Sequence, residues 1–169
     1  ALPISGITGP WLAATLVVSG LGSAIGNQLG GIASDRFGPE RSLAVVLSIL
    51  AAALFTASLI AISLPPALAI WPIPFVLFIW SAAGWAGHPS QMSRLAAMAP
   101  DATVVALSLN ASALYFGIAA GAALGQQVMR HAGTWPLGFV GAACEVVALA
   151  VLFIAMRRRR QQPRSLGID

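Results

Sequence analysis

The sequence predicts an all-α integral membrane protein with five transmembrane helices. Composition is the first observation behind this prediction: 58% of the 169 residues are hydrophobic and 8% are charged, and the mean hydropathy is +0.85. Soluble domains carry roughly a quarter of charged residues. The second observation is segmentation, because five stretches approach the length of about 20 mainly apolar residues that a membrane-spanning helix needs.

The five predicted spans follow one another along the chain with short connections. Their bounds are residues 11–33, 43–64, 67–85, 104–126 and 135–156, followed by a basic tail at 157–169. Phe37, Trp71 and Trp135 lie near predicted ends of these spans, where aromatic side chains favour the membrane interface. A soluble core can hide one such helix, but five in succession indicate a membrane protein.

All nine basic residues are arginines, and their positions give the orientation. In the five-span topology, one side of the membrane holds Arg36, Arg41, Arg94, the run at 157–160 and Arg164, and the opposite side holds Arg130. This is the positive-inside pattern, and it predicts a cytoplasmic C-terminus anchored by the terminal arginine run. The pattern accounts for the net charge of +4 without a nucleic-acid partner.

The first and fourth spans share a glycine pattern, G-x-x-x-G-x-x-x-G. Its residues are Gly22, Gly26 and Gly30 in the first span and Gly117, Gly121 and Gly125 in the fourth. Such a stripe lets two helix backbones approach closely. Since the two spans lie three apart, they run in opposite directions through the bilayer, and inverted repeats are typical of secondary transporters.

The repeat also suggests helices beyond this chain. If the first span matches the fourth and the second matches the fifth, the third has no counterpart. The first residue falls on the side opposite to most arginines, yet the chain starts with neither a methionine nor a signal peptide. We therefore expect that further helices of the same protein precede the first span.

A charged motif connects the first two spans. Residues 31–38, GIASDRFG, read as G-x-x-x-D-R-x-G. Gly31 can let the helix end pack closely, and Gly38 can adopt positive φ in the chain reversal. Arg36 is favoured beside the last carbonyls of a helix, whereas Asp35 needs a donor from an arginine or from the start of another helix. The alternative interpretation is an ordinary polar turn.

These residues resemble a signature of the major facilitator superfamily. The matching positions are Gly31, Asp35, Arg36, Gly38 and Arg41, as in the family's cytoplasmic loop after the second helix of each half. Pro39 and Glu40 stand where the family usually has basic residues, as is common in its weaker second copy. Residues 91–125 resemble the drug- and sugar-efflux branch of proton antiporters.

The resemblance implies that the chain forms helices eight to twelve of a twelve-helix fold, which is a partial C-terminal half, in the plasma (bacterial inner) membrane. It implies that Asp35 pairs across the interface between halves, as a latch that opens and closes during alternating access. The partner of that latch would lie in the missing N-terminal helices. The implied partners are the lipid bilayer, a small amphipathic drug or sugar, and protons.

Two groups of residues are candidates for a substrate cavity. Trp80 and Trp85 lie on or near the third span, and the corresponding helix lines the central cavity in the family that the chain resembles. On the fourth span, Ser108, Ser112 and Tyr115 fall within about 60° of one another on one helix face. The alternative for the tryptophans is that they anchor the helix at the membrane interface. The alternative for the serines is that their hydroxyls bond to carbonyls of their own helix. His88 and Pro89 are consistent with the end of the third span.

Glu145 lies near the centre of the fifth span and is a candidate proton carrier. The alternative is a protonated carboxyl that bonds a neighbouring helix, because the family's last helix lies outside the central cavity. No catalytic constellation, metal cluster or cofactor motif is recognisable in the sequence, so we expect neither an enzyme nor a cofactor. The alternatives to a transporter are a membrane assembly or scaffold protein and an inactive transporter remnant.

Overall fold

The computed structural model describes residues 9–69 and 71–161, and within these ranges it contains helices and no strand. The helices are α1 (Gly9–Phe37), α2 (Pro39–Ser63), α3 (Pro66–Ala69), α4 (Pro72–Met98), α5 (Thr103–Ala132) and α6 (Leu137–Gln161). A 3-10 turn at Pro100–Ala102 connects α4 to α5. The all-α prediction is confirmed. The part of the predicted basic tail that includes Arg164 lies outside the described residues.

Helix α4 lies at the centre of the described bundle. Helices α1 and α2 both pack along it, while their contact with each other is much smaller. Helix α6 packs against α2, whereas α5 touches α4 and α6 over short stretches. None of the described residues of α5 is buried, so this helix stands apart from the rest of the bundle.

The bundle is apolar on the outside and partly polar inside. Large apolar side chains such as Leu16, Val104 and Phe116 are well exposed. The buried polar residues of the described part are Ser34, Ser42, Ser58, Ser81 and Ser90. A soluble protein distributes these residue types in the opposite way, and an apolar exterior is what a lipid environment favours. The integral membrane prediction is confirmed.

Four of the described helices are long and apolar enough to span a membrane. These segments are Ala13–Phe37, Pro39–Ser63, Pro100–Ala132 and Leu137–Arg158. Helix α4 is not among them, because it contains no segment of comparable hydropathy, and its second half carries His88, Gln91 and Arg94. Its partners α1 and α2 cover much of its surface, so a lower hydropathy is compatible with its central position.

The third long helix differs from the predicted span at 67–85. The chain first forms the short helix α3, and α4 then begins at Pro72 and continues to Met98. Proline favours the first position of a helix, which explains the start. Pro89 lies inside α4 and does not end it, although it removes one backbone donor. Membrane helices tolerate such a residue where neighbouring helices pack around it, and the adjacent Ser90 has 0% exposure.

Candidate functional site

The G-x-x-x-D-R-x-G motif forms the tight junction between α1 and α2. Gly38 has φ of 85°, in the region that glycine adopts at little cost. Its N–H donates to the Ser34 carbonyl at 3.0 Å, and its own carbonyl accepts from the Ser42 N–H at 3.1 Å. Pro39 then begins α2. The reversal at Gly38 therefore has the backbone geometry that the sequence predicts.

The charges of the motif surround this junction without pairing to one another. Asp35, Arg36 and Arg41 are exposed. Within the described part of the chain, Asp35 has no hydrogen-bond or ion-pair partner. A Cβ at Gly31 would meet no described atom within 4 Å, so close packing of the helix end occurs one residue earlier, at Gly30.

The glycine stripe of α1 lies directly against the backbone of α4. Added Cβ atoms at Gly26 and Gly30 would overlap the carbonyl oxygens of Ala82 and Ala86, and one at Gly22 would lie 2.9 Å from the Phe78 carbonyl oxygen. Both helices repeat these contacts every four residues, which keeps each series on one helix face. The absence of side chains along this stripe thus permits the close contact between α1 and α4.

A serine cluster extends the same α1–α4 contact toward its other end. The Ser81 hydroxyl donates to the Ser19 carbonyl at 2.7 Å and lies 2.7 Å from the Ser23 hydroxyl, which donates to the same carbonyl at 2.9 Å. Ser81 is buried. Because hydroxyls in a membrane interior need partners, this cluster joins the two helices and satisfies its own polar groups.

The glycine stripe of α5 has a different environment. Cβ atoms at Gly117 and Gly121 would meet no described atom within 4 Å, and one at Gly125 would lie 3.8 Å from a Leu137 methyl group. The contact of α5 with α4 includes a hydrogen bond from the Gln91 amide nitrogen to the Asn110 amide oxygen at 3.4 Å. The second stripe is therefore open in the described bundle, although its sequence pattern equals that of the first.

The two halves of the predicted cavity do not meet. At 100° per residue, Ser108 lies about 160° around α5 from Asn110, whose side chain contacts α4. The Ser108 and Ser112 hydroxyls donate to the Val104 and Ser108 carbonyls of their own helix, and Tyr115 is 71% exposed. The hydroxyl face of α5 thus points away from the α4 contact.

The aromatic residues predicted on α4 remain accessible. Trp80 and Trp85 are 42% and 53% exposed, and the rings of Trp85 and His88 have centroids 6.2 Å apart. Trp80, Gly84 and His88 are exposed and recur every four residues, so they share one face of α4. This face is one accessible surface of the central helix.

Sequence reasoning missed the contact between α2 and α6. An added Cβ at Gly138 would overlap the Leu54 carbonyl oxygen, and one at Gly141 would lie 3.0 Å from a Leu54 methyl group. The Ser58 hydroxyl donates to the Trp135 carbonyl at 2.7 Å and accepts from the Phe139 N–H at 3.1 Å. It therefore satisfies an amide in the first turn of α6, which has no partner within its own helix. The signal for this contact was the spacing of small residues at 138, 141 and 142.

Glu145 lies on the same face of α6 that packs on α2. It follows Gly141 by four residues and precedes the buried Leu152 by seven, which places all three on one face. Glu145 is half-buried, and among the described residues it makes no hydrogen bond or ion pair. The described part also contains no group of three or more His, Cys, Asp or Glu residues that could hold a metal ion.

The arginines of the described bundle gather at one end. Arg41 and Arg94 line the same cavity. Helix α6 runs antiparallel to α2, because its first turn packs near the end of α2, so Arg157 and Arg158 lie at the α2 start. Arg130 lies in the last turn of α5, at the opposite end. The fold and these features define a multi-pass α-helical membrane protein with a charged motif at its arginine-rich end.

Comparison with known proteins finds transporters among the relatives of this chain. The chain is 29% identical over 161 residues to the uncharacterized MFS-type transporter YbcL of Bacillus subtilis (strain 168), covering 95% of this chain and 40% of that protein. It is 37% identical over 81 residues (48% of this chain, 20% of the relative) to a probable sugar efflux transporter of Mannheimia succiniciproducens. A probable sugar efflux transporter of Pasteurella multocida is 40% identical over 88 residues (52% and 21%).

The chain is thus a homologue of proteins named as an MFS-type transporter and as sugar efflux transporters, which agrees with the resemblance to the major facilitator superfamily. No family model matches the chain, and no solved structure matches it. The chain spans two fifths or less of the length of these relatives.

Proposed function

We propose that this chain forms part of a secondary transporter that exports a small amphipathic compound, a drug or a sugar, in exchange for protons. The observation that carries the proposal is the similarity to an MFS-type transporter, which extends over 95% of the chain at 29% identity. The names of the two sugar efflux relatives support the substrate class and the direction. The clustering of arginines at one bundle end supports a cytoplasmic location of that end and of the C-terminus, in a bacterial inner membrane.

In this proposal, further helices of the same transporter complete the substrate path. The accessible tryptophans of α4, Trp80 and Trp85, contribute aromatic surface for an amphipathic solute. Ser108, Ser112 and Tyr115 would contribute hydroxyls if a helix outside this chain faces them. Such a helix would also cover the lateral surface of α5, none of whose residues is buried.

Asp35 is proposed as one half of a conformational latch. Its carboxylate is exposed at the end of α1, where the partial negative charge of the helix terminus disfavours it. An arginine or a helix N-terminus that approaches from the remainder of the transporter would remove this unfavourable interaction. The latch would close in one conformation and open in the other, which links the α1–α2 junction to alternating access.

The test is transport by the full-length protein in proteoliposomes under an imposed pH gradient, with a panel of sugars and amphipathic drugs. We expect gradient-dependent movement of at least one panel compound. Asp35→Asn should slow this movement, whereas Asp101→Asn should not, because Asp101 is an exposed carboxylate in the connection between α4 and α5. Absence of gradient-dependent transport across the panel would contradict the proposed activity. Equal rates of the two variants would contradict the latch alone.

A further inference from the structure

Two cavities of different character adjoin each other at the arginine-rich end of the bundle. The larger has a volume of about 640 Å³ and lies between α1, α2 and α4. Its walls are apolar and include Leu29, Val45, Ile49 and Ile79. The smaller has a volume of about 310 Å³ and lies at the start of α2, beside the end of α4.

The smaller cavity is cationic. Arg41 and Arg94 line it together with Glu40, so two positive charges oppose one negative charge. The Nε atom of Arg94 is buried and has no hydrogen-bond partner in the described part. Positive charge with an unused donor favours an anionic ligand group that accepts hydrogen bonds.

Arg41 and Phe37 line both cavities, so the apolar and cationic parts form one continuous surface. Ser42, the residue after Arg41, lines the apolar part, is 6% exposed, and its hydroxyl has no partner in the described part. A polar group that needs a partner thus lies next to the boundary between the two parts. Along the bundle, the cationic cavity of Arg41 and Arg94 comes first, the Ser42 hydroxyl follows, and the apolar groove comes last.

The depth of the apolar groove matches one leaflet of a bilayer. From Arg41 to Ile49 the groove follows α2 for about 12 Å, and half of a hydrocarbon core measures about 15 Å. The groove walls are themselves exposed, since Leu29 and Val45 are 57% and 59% accessible. In a membrane these walls contact acyl chains, while the side chains at the arginine-rich end of the bundle lie at headgroup depth.

We propose that these two cavities together bind one anionic phospholipid. Its phosphate lies between Arg41 and Arg94, and one acyl chain occupies the groove between α1 and α2 over α4. The charge arrangement favours this occupant over a transmembrane helix, because an apolar helix presents no anion to the cationic part. The proposal concerns a lipid that holds the α1–α2 junction, and it does not depend on the transported substrate.

Native mass spectrometry of the chain in detergent tests the proposal, with phosphatidylglycerol and phosphatidylcholine as the two lipid probes. We expect tighter binding of phosphatidylglycerol. Arg41→Gln should weaken that binding about fivefold, the contribution of one basic residue near a membrane surface, and Arg41→Lys should retain most of it. Arg36→Gln is the matched control, because Arg36 is exposed at the same end and lines neither cavity.

A second pair of variants tests the apolar part. Ala33→Phe fills the groove that Ala33 lines, and it should weaken phosphatidylglycerol binding without removing a charge. Ala24→Phe places the same ring on an exposed position of α1 outside the groove and should leave binding unchanged. Inorganic phosphate should compete weakly, because it lacks the acyl chain.

Several outcomes would overturn the proposal. One is equal binding of the two lipids. A second is an equal loss with Arg36→Gln and Arg41→Gln, which would indicate surface charge without a defined site. A third is an unaltered affinity in Ala33→Phe, or full competition by inorganic phosphate, which would indicate a phosphate site with no lipid chain.

Discussion

Replacing Gly26 with alanine should separate α1 from α4. The added Cβ would overlap the Ala82 carbonyl oxygen and lie 2.7 Å from the Ala82 Cα. Carbon atoms pack at about 3.5 Å or more, so the two backbones must move apart by at least about 0.8 Å. Both obstructing atoms belong to the backbone, and a side-chain rotation therefore cannot relieve the overlap.

The movement also affects the serine cluster on the same face. A displacement of this size would stretch the 2.7 Å bond from Ser81 to the Ser19 carbonyl to about 3.5 Å, beyond the range of N–H or O–H hydrogen bonds. Overpacking costs about 1–3 kcal/mol, and a hydrogen bond between membrane helices contributes about 0.6 kcal/mol. We therefore expect Gly26→Ala to lower the free energy of unfolding by about 2–3 kcal/mol.

Gly31→Ala is the matched control for this substitution. It changes a glycine in the same helix where an added Cβ meets no described atom within 4 Å, and alanine is favoured over glycine in helices by up to about 1 kcal/mol. Detergent-induced unfolding in mixed micelles, followed by circular dichroism, measures both variants. Gly31→Ala should be neutral or stabilising, and Gly22→Ala should lie between the two. Equal stability of Gly26→Ala and Gly31→Ala would refute the close contact of α1 with α4.

Three further outcomes follow from the hydrogen bonds and the isolated carboxyl. Ser58→Ala should lower the free energy of unfolding by about 1 kcal/mol, because α6 loses the acceptor for a first-turn amide. In the same detergent titration Ser48→Ala should be near neutral, because it loses only a hydrogen bond to a carbonyl of its own helix. Ser81→Ala should cost about 0.6 kcal/mol, from the loss of the hydrogen bond that joins Ser81 to the Ser19 carbonyl. Ser108→Ala should cost less, and equal values would contradict a joining role of the cluster. Glu145→Gln should flatten the pH dependence of transport by the full-length protein, and an unaltered pH profile would exclude Glu145 as the proton carrier.

Local chemistry explains what could be predicted at the α1–α2 junction. Gly38 adopts positive φ because a two-helix reversal with one intervening residue leaves few other conformations, and Pro39 begins the next helix as its fixed φ favours. Apolar length and the placement of arginines are likewise properties of the chain itself. These signals predicted the helical membrane fold.

Helix α4 shows where local signals fail. His88 and Pro89 suggested an end, yet α4 continues to Met98 because neighbouring helices pack around the proline. The same helix contains no segment as apolar as the four candidate spans, and it nevertheless lies at the centre of the described bundle. Hydropathy reports the preference of a segment for lipid, and it does not report how much of that segment other helices cover.

The two glycine stripes separate what the sequence determined from what the tertiary structure decided. The pattern G-x-x-x-G-x-x-x-G by itself specifies a helix face without side chains, and both α1 and α5 have such a face. Gly26 and Gly30 lie against the α4 backbone, while Gly117 and Gly121 meet no described atom. Helical periodicity fixes which residues share a face, because it depends on the chain alone. The partner of that face depends on how the helices assemble, since in a lipid environment packing between specific surfaces drives their association.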